Sequence, residues 1–328
     1  MSHIPAISTV IAPHYVAAQV AKHFGLSPKV TAKILRVGVN HTYLIEGEEG
    51  RYVYRIYTYN WRSKEEIQAE IDYLDAMAAL GLQVSTAIKD KDGNYLHEYP
   101  VAEGTRYGLL FTWCDGKILR KPDLPTCERL GQIMARMHQY SQNKQAARRT
   151  YDAQSLLGWA AEQVEAHFGT ANEQVQYLHR AAERFAERME AAPAEQLRAG
   201  IVHLDMGYGN LKIQEDGDIA LFDFDNLGNG WLFLDIAYTI MVMFRQEEDK
   251  QQYEQKAAAF LRGYEGILPV TPEEKALIPW GGMAIWLHYS GVHALRFQDF
   301  TSVFFDEYYF SYWVSFIDQW LQYHDIKI

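Results

Sequence analysis

Through the first 112 residues the pattern of apolar positions is mainly that of β-strands. The stretches "KVTAKILRV" (29–37), "HTYLIEG" (41–47) and "RYVYRIYTY" (51–59) are rich in β-branched and aromatic residues and are separated by Gly- and Glu-bearing turns. That composition predicts neighbouring strands. Alternation in the third stretch sets Val53, Arg55 and Tyr57 on one face and Tyr52, Tyr54 and Ile56 on the other. After Ser63 the period changes. Ile67, Ile71, Leu74 and Ala78 fall on one face until Gly81, which predicts a helix capped by Ser63. Strand signals return in "GNYLHEYP" (93–100) and "RYGLLFTW" (106–113), and "CDG" (114–116) breaks them.

From about Leu124 the spacing is mainly helical, with helices expected at 126–142, 153–168, 172–191, 232–245, 250–265, 273–295 and 304–323. One polar, strand-like insert interrupts them at 201–224. The pattern predicts a small sheet lobe over 1–112, a connector over 113–117 and a large helical lobe over 118–328. A cleft between two such lobes is the usual place for a ligand.

Composition narrows the function classes. The net charge is −11, and no Lys/Arg run is present, which argues against a nucleic-acid partner. Aromatic residues make up 14% of the chain, so a ring-lined pocket is expected. The run from Ala276 to Leu295 is uncharged and long enough to span a bilayer, but it contains Pro279, Gly281, Gly282, His288 and His293. It is read as a buried helix, with no membrane partner. Cys114 and Cys127 make neither a disulfide framework nor a metal knuckle. The first residues lack a basic start followed by a long apolar core, which predicts a cytoplasmic protein.

The insert carries the chemistry. "HLDMGYGN" (203–210) puts an imidazole, a carboxylate and a carboxamide in one loop. The following "LKIQEDGDIALF" reads as a hairpin turning at Asp216–Gly217, which returns Asp223 of "LFDFDNLGNG" (221–230) beside Asp205 and Asn210. Carboxylate, carboxamide and carboxylate around one point suit Mg²⁺. Phosphoryl transfer needs such a metal site and an acid to orient the attacking hydroxyl. H-x-D-x-x-x-x-N followed by an apolar-D-F has kinase catalytic-loop logic. Asp225 is either a second metal contact or a residue bonding loop amides. His203 is read as architectural, anchoring the loop through its ring nitrogens.

At these residues the chain resembles the aminoglycoside phosphotransferase/choline kinase-like family over about residues 30–245. The likeness is strongest at "VHLDMGYGNLKI" and "LFDFDNLGNGWLFLDIA". It implies an α+β, bilobal protein-kinase-like fold, with a small antiparallel-sheet N-lobe carrying one main helix and a large, mostly helical C-lobe. It also implies a catalytic Asp205, magnesium ligands Asn210 and Asp223, and Asp235 as the buried acid that braces the loop. ATP with Mg²⁺ is the expected cofactor set, and the residues do not choose between ATP and GTP.

Arg55 in "YVYRIY" stands where protein kinases place Lys, with Glu70 as its expected helix partner in preference to Glu66. "RVGVNHTY" has the single glycine Gly38 and no G-x-G-x-x-G, so Gly38 to Thr42, including Asn40, is only a candidate phosphate cover. Adenine is expected at backbone groups around Thr112, Trp113 and Cys114. Leu204 replaces the Arg that receives an activation-loop phosphate in protein kinases. Nine residues separate Asp225 from Asp235, too few for a long activation segment. The first feature implies activity without that switch, the second favours a small hydroxyl-bearing acceptor over a protein Ser/Thr substrate, and the intact Asp205, Asn210 and Asp223 argue against a non-catalytic relative. The aromatic C-terminal third is either a core stripe or an acid-tipped amine pocket. Asp299, Asp306 and Glu307 are the candidate acceptor contacts for an aminoglycoside, amino alcohol or homoserine-like compound.

Overall fold

The computed structural model describes residues 5–297 and 306–328; Asp299 lies outside them. In chain order the elements begin with α1 (Pro13–Phe24), β1 (Thr31–Val37), β2 (His41–Gly47), β3 (Gly50–Ile56), α2 (Lys64–Ala79), β4 (Ala87–Ile88), β5 (His97–Val101) and β6 (Gly104–Thr112). They continue with β7 (Lys117–Ile118), α3 (Leu124–Ser141), β8 (Thr150–Tyr151), a π-helical turn (Gln154–Gly158) leading into α4 (Trp159–Phe168), α5 (Glu173–Glu190), β9 (Ala199–Val202), β10 (Leu211–Ile213) and β11 (Ile219–Leu221). The last are β12 (Gly228–Trp231), α6 (Phe233–Gln246), α7 (Lys250–Glu265), α8 (Pro272–Phe297) and α9 (Glu307–Tyr323).

Two compact units result: residues 1–116 with 214–222, and residues 117–213 with 223–328. The first is built on a sheet of order β1-β2-β3-β6-β4, with β5 also paired to β6. All of its pairings are antiparallel. Alternation along β2 and β3 sends Tyr43, Ile45, Tyr54 and Ile56 into one core. Arg55, one residue out of phase, is left for the opposite face. The helix after Ser63 starts with a capping box, in which the Ser63 hydroxyl and the Glu66 carboxylate each accept from the other's backbone N–H.

The first 112 residues do not form strands and one helix alone, because α1 precedes them. Its signature was present in the chain. Pro13 occupies the first turn, Val16, Ala17 and Val20 are buried at helical spacing, and Gly25 ends the helix at φ 69°. Val16 and Val20 join Tyr43 and Ile45 in the same core.

Residues 214–222, expected within the helical lobe, group with the first unit for a hydrogen-bonding reason. The Ser85 N–H donates to Leu221 O at 3.0 Å, and the Leu221 N–H donates to Gln83 O at 2.8 Å. The turn before β11 closes at Gly217, φ 84°, where the Gln214 N–H donates to Asp218 O at 2.8 Å.

In the second unit α3 and α7 cross where each presents a glycine. A Cβ on Gly131 would lie 2.0 Å from Phe260 O, and one on Gly263 would lie 1.9 Å from Glu128 O. Helix α6 buries nearly every residue from Phe233 to Phe244. The uncharged run 276–295 lies within α8, whose residues are mostly buried despite the internal Pro279. No helix among the described residues is long and apolar enough to cross a membrane. On α9, Phe310, Ile317 and Trp320 are core residues, whereas Tyr308 is 83% exposed. The aromatic run is thus a helical stripe with one face in the core.

Candidate active site

The loop 203–210 leaves β9 and is held from beneath by one carboxylate. Asp235, in the first turn of α6, accepts from the His203 N–H at Oδ2 (2.8 Å) and from the Leu204 N–H at Oδ1 (2.6 Å). His138 Nε2 of α3 lies 3.0 Å from the same Oδ2, and its Nδ1 lies 2.7 Å from the Tyr264 hydroxyl. Burial pushes the Asp235 carboxyl up. The hydrogen bond and charge of His138, the charge of His203 and the His203 N–H outweigh burial and hold it below the usual carboxylate range. A buried acid among Phe233, Leu234 and Ile236 is therefore stable as a carboxylate because every bond it receives favours the charged form.

Those bonds also support an uncommon backbone. Leu204 is at φ 61°, a left-handed conformation that a branched side chain adopts only when its surroundings dictate it. Its N–H is taken by Asp235, its carbonyl accepts from the Tyr289 hydroxyl at 3.1 Å, and its side chain is 2% exposed. The turn then aims Asp205 out of the loop. His203 acts inside the loop, with its Nδ1 accepting from the Asp205 N–H at 3.1 Å and its ring 4.3 Å from that of Phe224. Asn210 closes the loop, donating from Nδ2 to Asp205 O at 2.9 Å.

Asp205 has a partner that the sequence did not reveal. The Tyr238 hydroxyl, one turn along α6 from Asp235, donates to Asp205 Oδ1 at 2.8 Å. Burial, then the Asp205 carboxylate, push the Tyr238 hydroxyl well above its usual pKa, so it stays a proton donor. Tyr289 of α8 is likewise raised, by burial first and then by the charges of Asp205, Tyr238, Tyr151 and Asp223. Asp205 and Asp223 thus both act on one buried phenol. Asp223 is itself at φ 66°. Asn210 and Asp223 offer oxygen donors only, the ligand type of a hard divalent cation. Because Asn210 commits its Nδ2 to Asp205 O, its Oδ1 points away from that bond. The donor set therefore fits such an ion.

Asp225 is more buried than Asp223, at 5% exposure, and its segment is clamped by an arginine. Arg148 donates to Leu227 O at 2.8 Å, to Phe224 O at 3.4 Å and to Asp225 O. Arg148 belongs to the loop after α3, and no motif marked it.

In the first unit, the two helix acids considered for Arg55 have separate roles. Glu70, 1% exposed, accepts from Arg55 Nη1 at 2.8 Å and from the Tyr57 hydroxyl at 3.0 Å. The Arg55 guanidinium also lies 5.0 Å from the Phe111 ring centroid. Glu66 serves the capping box instead. The Gly38 N–H donates to Asn40 O at 3.1 Å, and Asn40 Oδ1 accepts from the Thr58 N–H at 3.1 Å, which pins the loop between β1 and β2.

Thr112 already uses both backbone groups, its N–H on Thr86 O (2.9 Å) and its carbonyl on the Ser85 hydroxyl (2.7 Å). Trp113 lies 4.9 Å under the Arg51 guanidinium, and Cys114 Sγ reaches Leu221 O at 3.7 Å.

The acceptor candidates fare differently. Asp306 is the N-cap of α9, accepting from the Tyr309 N–H at 2.7 Å, and Glu307 is an exposed first-turn acid whose Oε1 accepts from Asn172 Nδ2 at 3.4 Å. Asp299 lies outside the described residues. The rings beside Asp205 come from α6 and α8 instead. Trp286 stacks on Tyr238 at 6.1 Å and meets Trp313 at 4.9 Å. The Arg245 guanidinium sits 4.8 Å over Trp286, with no carboxylate paired to it among the described residues.

An antiparallel sheet with a buried Arg–Glu pair, and a helical unit presenting H-x-D-x-x-x-x-N above a buried acid, define the protein-kinase-like class of phosphotransferases. The chain belongs to the phosphotransferase enzyme family, whose profile matches residues 31–270. It is 28% identical over 323 residues to an uncharacterized protein of Deinococcus radiodurans, covering 98% of this chain and 93% of that one. It is 25% identical over 240 residues to the homoserine kinase of Xanthobacter autotrophicus, covering 73% and 72%. Its fold is similar to that of an amicoumacin kinase solved with AMP-PNP and Ca²⁺, with a TM-score of 0.76, 20% identity and coverage of 94% and 93%.

Proposed function

We propose that this enzyme transfers the γ-phosphoryl group of Mg²⁺-bound ATP to a hydroxyl of a small molecule. The observation that carries the reading is the Asp205 carboxylate, projected from a loop whose backbone is fixed by buried Asp235 and oriented by the Tyr238 hydroxyl. Asp205 orients the acceptor hydroxyl and takes its proton as the new O–P bond forms and the bond to the ADP oxygen breaks. Asn210 and Asp223 hold the divalent ion, which when bound supplies charge neutralisation on the phosphate oxygens. Arg55, fixed by Glu70 and Tyr57, holds nucleotide phosphate oxygens through its fork. The homoserine and amicoumacin kinases to which the chain is similar favour small hydroxyl acceptors.

Arg245 on the ring wall beside Tyr238 favours, among these, an acceptor carrying a carboxylate beside its amine, such as a homoserine-like compound. Polycationic aminoglycosides would meet that guanidinium unfavourably. An ADP-release screen over homoserine, ethanolamine, choline and aminoglycosides tests both statements. Release with none of them removes the reading, and release with aminoglycosides alone removes the role of Arg245.

Tyr238→Phe is expected to lower kcat about 10-fold, the scale of one hydrogen bond to a charged group, with the KM for Mg-ATP nearly unchanged. A rise in KM with unaltered kcat would show that Tyr238 does not position the base. Asp223→Ala is expected to weaken metal–nucleotide binding by about 10–100-fold or more, following the scale for disturbed metal sites. Asp225→Ala should cost less, and titration calorimetry with Mg-AMP-PNP would expose the reverse order.

A further inference from the structure

The first unit holds a second constellation, which the phosphotransferase reading does not use. Among the described residues, His23, Asp90 and His97 form the one group of three or more His, Cys, Asp or Glu side chains whose ligand atoms lie within 4.8 Å of one another. His23 is in the last turn of α1, Asp90 opens the turn after β4, and His97 begins β5. Three separate segments thus converge, and they border a cavity of about 290 Å³ lined also by Tyr15, Gln19 and Asn94.

The local hydrogen bonds leave a ligand-shaped deficit. Asp90 Oδ1 accepts from the Asp92 N–H (2.9 Å) and the Asn94 N–H (2.8 Å), which fixes the carboxylate and turns Oδ2 toward His97. That Oδ2 lies 3.5 Å from His97 Nε2, too far for a good hydrogen bond. Nε2 is buried with no hydrogen-bond partner, although a buried polar atom normally has one. The His97 side chain is 11% exposed and that of Asp90 is 3% exposed. The His23 ring stands 4.5 Å from the His97 ring.

A spacing near 3.5 Å is close to the ligand–ligand edge of a tetrahedron built on zinc bonds of about 2.0–2.1 Å. The Lys91 N–H donates to His23 O at 3.1 Å, so the end of α1 and the Asp90 turn are already tied together.

We propose that His23, Asp90 and His97 bind a borderline divalent transition ion of the Zn²⁺ class, distinct from the hard ion held by Asn210 and Asp223. Two imidazole nitrogens and one carboxylate select such an ion over Mg²⁺, and the cavity has room for water to complete the coordination. The bound ion clips α1 to the sheet.

The test uses the full-length, tag-free protein in excess Mg²⁺ without nucleotide. Calorimetric titration with Zn²⁺ should show one equivalent bound, Co²⁺ should give the intense visible absorption of a tetrahedral site, and Zn²⁺ should raise the thermal transition. Asp90→Asn keeps an oxygen for the two turn amides while removing the ligand charge. It should weaken Zn²⁺ binding about 10–100-fold, with an unchanged transition in the metal-free protein. His23→Ala/His97→Ala should abolish the cobalt spectrum. The proposal is overturned if the wild-type protein takes up no Zn²⁺ at micromolar concentrations. It is equally overturned if Asp90→Asn and the double variant bind Zn²⁺ as tightly as wild type.

Discussion

Replacing Asp205 by Asn is expected to lower kcat by about 10²–10⁴-fold, the range for losing a general base, while Mg-nucleotide affinity changes little. The substitution is isosteric, and the loop's own bonds do not depend on the lost charge. The backbone N–H of residue 205 still reaches His203 Nδ1, and its carbonyl still accepts from Asn210. The amide oxygen of Asn can still accept from the Tyr238 hydroxyl. What disappears is the ability to take a proton from the acceptor hydroxyl. Steady-state ADP release with an acceptor identified by the screen, measured beside AMP-PNP binding, separates the two effects. Turnover that survives the change would remove Asp205 from the chemistry.

Asp235→Ala has the second large effect, and it acts through folding. The change leaves the His203 and Leu204 N–H groups and His138 Nε2 without their common acceptor in a buried site. Removing one partner from such a buried charged network costs about 3–5 kcal/mol. Leu204 would also lose the bond that supports its left-handed backbone. A urea or thermal unfolding curve should therefore shift strongly downward, and a loss below about 1 kcal/mol, the level of an ordinary hydrogen bond, would contradict the bracing role.

The sign of the pH dependence follows from the same carboxylate. Its folded pKa is held below that of an ordinary aspartate in the unfolded chain. Its contribution is therefore present above the unfolded value and is lost as the pH falls through the lower folded one. In Asp235→Asn this acid-side component should vanish.

Local pattern carried much of the fold. Alternation in residues 51–59 separated Tyr54 and Ile56 from Arg55, and the sheet puts the first two in its core and the third against Glu70. Pro13, Val16, Val20 and Gly25 carry the signal of helix α1, but it is a single short amphipathic stretch ahead of three β-rich segments that dominate the pattern of the N-terminal third. The acidic residues near the C-terminus show how a local structural role accompanies a composition signal. Asp306 is a candidate acceptor contact by composition, and as an Asp just before a helical stripe it also caps α9.

The site divides in the same way. The spacing H-x-D-x-x-x-x-N and the apolar-D-F were readable because a short loop and the segment after its hairpin keep their chemistry in contiguous residues. The amino-acid sequence by itself determined the α+β organisation and the phosphotransferase loop pattern, and it offered Asp205, Asn210 and Asp223 as the residues proposed to work there. Only tertiary structure decided that Tyr238 and Tyr289 meet the 203–205 segment, that His138 secures Asp235, that Arg148 clamps 224–227 and that His23 meets Asp90 and His97. Those partners lie up to 97 residues apart. Local periodicity records which face of an element is buried, and it carries no information about which distant polar atom is waiting there.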